Sequence, residues 1–414
     1  MSTKNTLWKT ANWFVSPWNY LAEVTKDFTP PEQVKIHDTT LRDGEQQAGL
    51  MFTKEEKLQI AEKLAELGVH RIEAGTPAVS PEDEAAIREI VKRKLGPQIF
   101  ALSRCIEDDI RRAADCGVDG VTVEIPSSEH LIELGYRWSL EKAMDMPIKA
   151  TNLAHELGLY VAFFTVDASR AQLEWVLRLL EHVAHEGHMD SLCLVDTFGC
   201  LTPEAVAYVV KRTKERIHKP LEAHYHNDYG LGVANTIKAV LGGAEVIHTT
   251  VNGLGERSGN TPMEETVLAL LTLYGIDTGI KYHKLRELAK LVEKISGVPM
   301  APNRGFVGDQ AFHIESGIVV DWYRNIGKEA DIMAFPIHYS FVGNEGPEVI
   351  IGKKSGKGNI AALAQRMGID LSTEAAIEVT RRVKAKSYEK KGAVSEAEFR
   401  SIVEEVKKAK APGV

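Results

Sequence analysis

Between residues 34 and 275 the chain alternates short apolar runs with longer stretches in which apolar residues recur every three or four positions. The short runs are "VKIHDTT" (34–40), "VHRIEAG" (69–75), "QIFALS" (98–103), "GVTVEIP" (120–126), "YVAFFTV" (160–166), "SLCLVDT" (191–197), "LEAHYHN" (221–227) and "EVIHTTV" (245–251), eight in all. Their length and their content of β-branched and aromatic residues predict buried strands. The stretches between them predict helices. "TKEEKLQIAEKLAELG" (53–68) opens on an N-cap Thr53 with Glu56 three residues on and closes on Gly68, and "SPEDEAAIREIVKRKLG" (80–96) repeats that pattern from Ser80 to Gly96. Eight strand–helix units with short connections predict a (β/α)8 barrel, a fold of about 250 residues, whereas a doubly wound open sheet seldom needs eight.

After residue 275 the alternation stops. Residues 282–297 read as a helix, the Pro- and Gly-richer stretch 298–360 as irregular linker, and 361–409 as two or three amphipathic helices. The expected organisation is an aromatic-rich N-terminal arm (1–33), a barrel (34–280), a linker or lid subdomain (281–360) and a small helical C-terminal subdomain (361–414). Trp8, Trp13, Phe14, Trp18 and Tyr20 crowd the arm, which suits packing on the body of the protein or on a partner subunit.

Composition narrows the function. A net charge of −8 and a pI near 6.0, without a basic stripe, point away from nucleic acid and toward a small-molecule substrate. Cys105, Cys116, Cys193 and Cys200 show neither CxxC spacing nor a disulfide framework, and no apolar stretch reaches the length of a signal peptide core or a membrane span. A cytoplasmic setting without membrane partners is expected.

In a barrel of this kind the active site lies at the C-terminal ends of the strands. "HDTTLRDGEQQAG" places Asp38, Arg42, Asp43, Glu45 and Gln46 after the first strand, and "RIEAG" places Glu73 after the second. Asp196 and Thr197 end the sixth, His224, His226 and Asn227 end the seventh, and "NGLGERSGN" after the eighth carries Glu256, Arg257 and Asn260. Residues i and i+2 of a strand share a face, so His224 and His226 project side by side. Two imidazoles, a carboxylate and an amide oxygen make a partial shell for a divalent cation such as Mg2+, Mn2+ or Zn2+. Two exposed histidines on an edge strand would give the same H-x-H spacing.

"DTTLRDGEQ", "IEAG", "DTFG", "HYHND" and "NGLGERSGN", in this order, closely resemble the DRE-TIM metallolyase superfamily, and within it the Claisen-condensing synthases of isopropylmalate, homocitrate and citramalate type, or a Re-type citrate synthase. The resemblance is strong over 34–275 and extends through "GDQAFHIESGI" (308–318) and "IIGKKSGKGN" (350–359). It implies that Asp43, His224 and His226 bind the metal with Asn260 as a further ligand, and that Arg42 and Glu73 are the signature pair. It also implies a 2-oxo acid and an acyl-CoA, acetyl-CoA first among them, as substrates, and a homodimer. Arg42 would then stabilise an oxyanion with Glu73 fixing its fork, Thr197 would meet the substrate carboxylate and Gln46 would line the pocket. Glu256 matches a Glu that the synthases retain near the thioester. It either removes the α-proton or pairs with Arg257.

The chain departs from these synthases at two places. The linker reads "HIESGIV" with His313 offset and Val319 in place of a second histidine, and Val166 stands where many synthases carry Glu. Either the substrate differs or His313, His130 or Tyr339 takes over proton transfer. Arg104, after the third strand, either meets a second carboxylate of a dicarboxylic substrate such as oxaloacetate or 2-oxoglutarate, or forms an ion pair at a helix start. A lyase of the HMG-CoA type is the nearest rival, although "GLGERSGN" lacks the cysteine of those enzymes; a non-catalytic binding relative is the other. Leucine feedback is not expected, since no regulatory domain follows residue 414.

Overall fold

A computed structural model describes residues 6–410. They form two compact units, one spanning Pro17–Met300 and the other made of residues 6–16 and 301–410.

The first unit is a closed barrel of eight parallel strands in sequential order, as the alternation predicts: Lys35–Asp38 (β1), Arg71–Glu73 (β2), Gln98–Arg104 (β3), Gly120–Pro126 (β4), Tyr160–Val166 (β5), Ser191–Asp196 (β6), Leu221–Tyr225 (β7) and Val246–Thr249 (β8). Closure is made by β8 on β1, in a register that sets His37 opposite His248 and Asp38 opposite Thr249. Each strand is followed by a helix: Lys54–Leu67 (α1), Pro81–Arg93 (α2), Glu107–Asp115 (α3), Leu140–Glu156 (α4), Leu173–Glu186 (α5), Pro203–Arg216 (α6), Gly232–Leu241 (α7) and Met263–Tyr274 (α8). Thr53 and Glu56 cap α1 reciprocally, and Gly68 ends it in the left-handed conformation. In α2 the end differs from the expected Gly96. Lys94 takes the left-handed position at φ 50°, and Gly96 serves the turn into β3.

Past α8, Leu285–Ser296 (α9) closes on a left-handed Gly297 and completes the barrel unit. The expected arm divides at residue 16. Tyr20 donates to the Thr272 carbonyl at 2.7 Å and Thr29 N–H to that of Leu241 at 2.8 Å, so residues from Pro17 onward belong with the barrel. Phe14 N–H instead donates to the Pro336 carbonyl at 3.0 Å, and the Trp13 ring meets Phe341 edge-on, so this aromatic cluster belongs with the second unit.

The stretch 298–360 is more regular than its composition suggests. It holds two short parallel strands, His313–Ile314 (β9) and Glu348–Val349 (β10), and the helix Gly317–Ile326 (α10). Lys357–Arg366 (α11), Thr373–Lys390 (α12) and Glu396–Lys410 (α13) follow and enclose their own core of Ile360, Val379, Val383, Phe399 and Val406. No helix among the described residues is long and apolar enough to cross a membrane.

Candidate active site

The ends of β1 and β7 bring three sequence-predicted ligands together. His224 Nε2 lies 3.1 Å and His226 Nε2 3.6 Å from Asp43 Oδ2, and all three side chains are buried. An antiparallel bridge between His226 and Asn260 brings the loop after β8 beside β7. Asn260 Nδ2 donates to the Leu254 carbonyl at 3.1 Å, which leaves its Oδ1 buried and without a partner. Asp43 Oδ2 is likewise buried without a hydrogen bond. Burial lowers the pKa of His224 to about 3 and moves that of His226 the same way, so both imidazoles are neutral and offer lone pairs. Burial alone would raise the Asp43 carboxyl, but Arg42 and the two histidines outweigh it and hold the group well below the usual carboxylate range. Donor-free oxygens beside neutral imidazoles, next to an ionised carboxylate, suit a divalent cation of N/O preference.

Arg42 follows the same turn. Its Nε donates to Glu73 Oε2 at 2.6 Å and its Nη1 lies 3.3 Å from Asp43 Oδ2, while the buried Nη2 has no partner. Arg42 also lines a cavity of about 850 Å3 with Gln46, Met51, Thr53, Lys57 and Gly75. Lys57, buried to 1% exposure, braces this wall through Glu45 at 2.6 Å and through Asp83.

Around the ends of β4 to β6 a second polar group forms. Asp167, in the left-handed conformation at φ 61°, receives Ser128 Oγ at 2.6 Å, Arg170 Nε at 2.6 Å and His130 Nε2 at 2.9 Å. Its N–H donates to Thr197 Oγ1 at 2.8 Å, leaving the Thr197 proton available to a ligand. Asp196 accepts from Ser169 Oγ and from Leu201 N–H, which makes it a brace of the β6 loop.

Three predicted residues sit differently. Arg104 is the ion pair at a helix start: its fork grips Asp109 of α3 at 2.6 and 3.0 Å, because the strand ends only a few residues before that helix turn. Glu256 is more than half exposed and lies 3.5 Å from Arg257, whose guanidinium is also drawn to Asp228 at 2.9 Å. His313 belongs to the second unit, on β9, with Nε2 3.5 Å from Glu348 Oε2.

Two features escaped the sequence reading. Glu124 stands near the mouth end of β4, in register with Arg104 and Phe164, and burial raises its carboxyl pKa while Arg42 opposes the shift. An acidic residue inside the run "GVTVEIP" is the signal that marks it. The other is a buried group of His37, Glu222 and His248 in the barrel interior, whose residues lie on three strands and share no motif.

The HMGL-like family model matches residues 33–292. Homocitrate synthase AksA of Methanocaldococcus jannaschii is 39% identical over 379 residues, covering 91% of each chain. A putative (R)-citramalate synthase CimA of Methanopyrus kandleri is 38% identical over 388 residues, 93% of this chain and 75% of that one, and 2-isopropylmalate synthase of M. jannaschii is 38% identical over 381 residues, 91% and 72%. Among solved structures, hydroxymethylglutaryl-CoA lyase of Pseudomonas aeruginosa superposes with a TM-score of 0.59 at 22% identity over 66% of this chain and 95% of that one. The carboxyl transferase domain of Rhizobium etli pyruvate carboxylase gives 0.52 at 17% over 72% and 54%. These two likenesses carry the barrel fold alone. A matched barrel and synthase relatives aligned over nine-tenths of the chain lead to one conclusion: the chain belongs to the HMGL-like family, in its Claisen-condensing branch.

Proposed function

We propose that the protein catalyses a divalent-metal-dependent Claisen-type condensation of an acyl-CoA, acetyl-CoA first among candidates, with a 2-oxo acid, followed by thioester hydrolysis. The observation that carries this reading is the buried group of Asp43, His224, His226 and Asn260, with unsatisfied oxygens, beside an arginine whose Nη2 is also unsatisfied. Those four residues would hold Mg2+, Mn2+ or Zn2+. When bound, the cation supplies Lewis acidity toward the 2-oxo acid's carbonyl.

The remaining work falls to the chain. Arg42, held by Glu73, would donate through Nη2 to the oxygen that gains charge, as a donor already oriented before the reaction. Thr197 would donate to the substrate carboxylate. Gln46 would line the cavity beside Arg42, which at about 850 Å3 accommodates the reacting end of an acyl-CoA. Glu256, with only a 3.5 Å contact to Arg257, is assigned removal of the acyl α-proton, and His313 is assigned a share of the acid step. His130 stays a substrate contact by way of its half-exposed ring on Asp167. Arg104 is already paired with Asp109, so it gives no support to a dicarboxylic substrate over pyruvate or a branched 2-oxo acid.

Purified protein is incubated with acetyl-CoA, Mg2+ or Mn2+, and pyruvate, oxaloacetate, 2-oxoglutarate or 2-oxoisovalerate, and free thiol is followed. Release with one acid is expected. No release with any of them sinks the synthase reading. Sedimentation should give a dimer.

A further inference from the structure

The second buried group lies directly behind the first. His248 Nδ1 is 3.3 Å from His224 Nδ1, and His248 Nε2 is 2.7 Å from Glu222 Oε2. Glu222 Oε1 is already taken by Arg71 Nη1 at 2.7 Å and Ser191 Oγ at 2.6 Å, and the whole arrangement is 0–3% exposed. His37 stacks on the His248 ring at 4.3 Å and Phe164 lies at 6.3 Å on a near-parallel plane, so the ring is held in one orientation.

The donors and acceptors of this relay can be counted from the metal-binding reading. A His224 that gives its Nε2 lone pair to a cation at Asp43, 3.1 Å away, keeps its proton on Nδ1, the atom that faces His248 Nδ1 at 3.3 Å. His248 Nδ1 must then accept, which leaves the His248 N–H on Nε2, where Glu222 Oε2 receives it at 2.7 Å. Each contact of the relay then pairs one donor with one acceptor.

We propose that Glu222 and His248 are positioning residues that fix His224 in the Nδ1–H tautomer, so that its Nε2 lone pair is turned to the cation pocket at Asp43. This rests on the metal-binding reading above and adds residues that no motif marks. The relay also explains why an ionised glutamate is buried in the barrel: its charge is spent on Arg71 and on orienting His248. A metal ion in the rear group itself is disfavoured, because Arg71 occupies the carboxylate it would need.

The test is a titration with Mn2+ alone, read by electron paramagnetic resonance, on wild type, His224→Ala, His248→Phe and His248→Asn. Phe keeps the ring and its stacking but removes the acceptor, whereas Asn places an amide oxygen near the lost Nδ1. The Phe variant should bind about 10–100-fold more weakly and the Asn variant should recover most of that loss. Wild-type affinity in the Phe variant, or equal weakness of both, overturns the proposal. Unchanged binding in His224→Ala would instead sink the metal site itself. Should the Phe variant not fold, 15N-histidine NMR of Zn2+-loaded wild type decides, with His224 assigned by its loss in His224→Ala. A proton on Nδ1 supports the relay and a bare Nδ1 overturns it.

Discussion

Arg42 offers its free Nη2 in a setting where Nε is fixed by Glu73 and Nη1 faces Asp43, so only one edge of the fork is available to a substrate. Arg42→Ala should therefore lower kcat about 100–1000-fold while leaving Mn2+ affinity within a few-fold of wild type, since the ligands are unchanged. Asp43→Asn should remove metal and turnover together; activity that survives without bound metal would refute the assignment. Asp38, at the end of β1, is fully buried, and burial raises its carboxyl to about 8 against the two hydrogen bonds from Thr40. The unfolded carboxyl titrates near 3.8, so the folded state holds the proton between these values. The resulting stabilisation is whole below about pH 4 and disappears as pH rises through 8, at roughly 1.4 kcal/mol per unit. Below about pH 6.5 the buried histidines His37, His224 and His226 give the opposite slope, so the decline is read as the difference in urea-unfolding stability between metal-free wild type and Asp38→Asn, which should fall as pH rises from 4 to 8; a difference that does not change with pH would locate the effect elsewhere. At this scale the legible residues were those carried by contiguous motifs, such as Asp43 in "LRDGEQ" and His224 and His226 in "HYHND". His248 and Glu222 were not legible because their partnership exists only through the pairing of β7 with β8, and for Arg104 substrate contact and ion pair stayed open because strand-end position says nothing about a nearby Asp109.

The loop from β8 to α8 delivers Asn260, and glycines shape it. Gly259 has φ +84°, and a Cβ there would run into the Gly253 carbonyl, the same oxygen that accepts from Asn260 N–H at 3.2 Å. Gly259→Ala must therefore displace either the loop or its hydrogen bond, costing about 1–3 kcal/mol and moving the Asn260 amide away from the histidines. Gly230, after β7, has φ +71° but open space around its missing Cβ. Gly230→Ala should cost about 1 kcal/mol and leave Mn2+ affinity alone, which separates backbone strain from steric conflict. Equal metal affinity in both variants would show that the loop's placement of Asn260 does not matter. The barrel elements themselves were legible because a strand–helix repeat sustained eight times leaves few alternatives. The strands β9 and β10 were not, since two-residue strands carry no periodicity, and α10 lay hidden in a run whose Gly317 and Gly327 read as linker.

Over the whole molecule, the second unit holds a core cluster built from residues after 350, with Phe399 fully buried among Val379, Val383 and Val406, whereas every candidate metal ligand lies before residue 261. Removing an aromatic side chain from such a core costs about 3–5 kcal/mol. Phe399→Ala should therefore lower the unfolding temperature of the second unit in a calorimetric scan and leave the barrel transition in place. Mn2+ affinity should stay at the wild-type value, because none of the ligands or the residues behind them draws on that core. If the substitution instead moved both transitions together, or weakened Mn2+ binding, the units would form one cooperative structure and the metal site would depend on the second core. If metal affinity held while turnover fell, the second unit would be required for a step other than metal binding, which is the part assigned to His313 on β9.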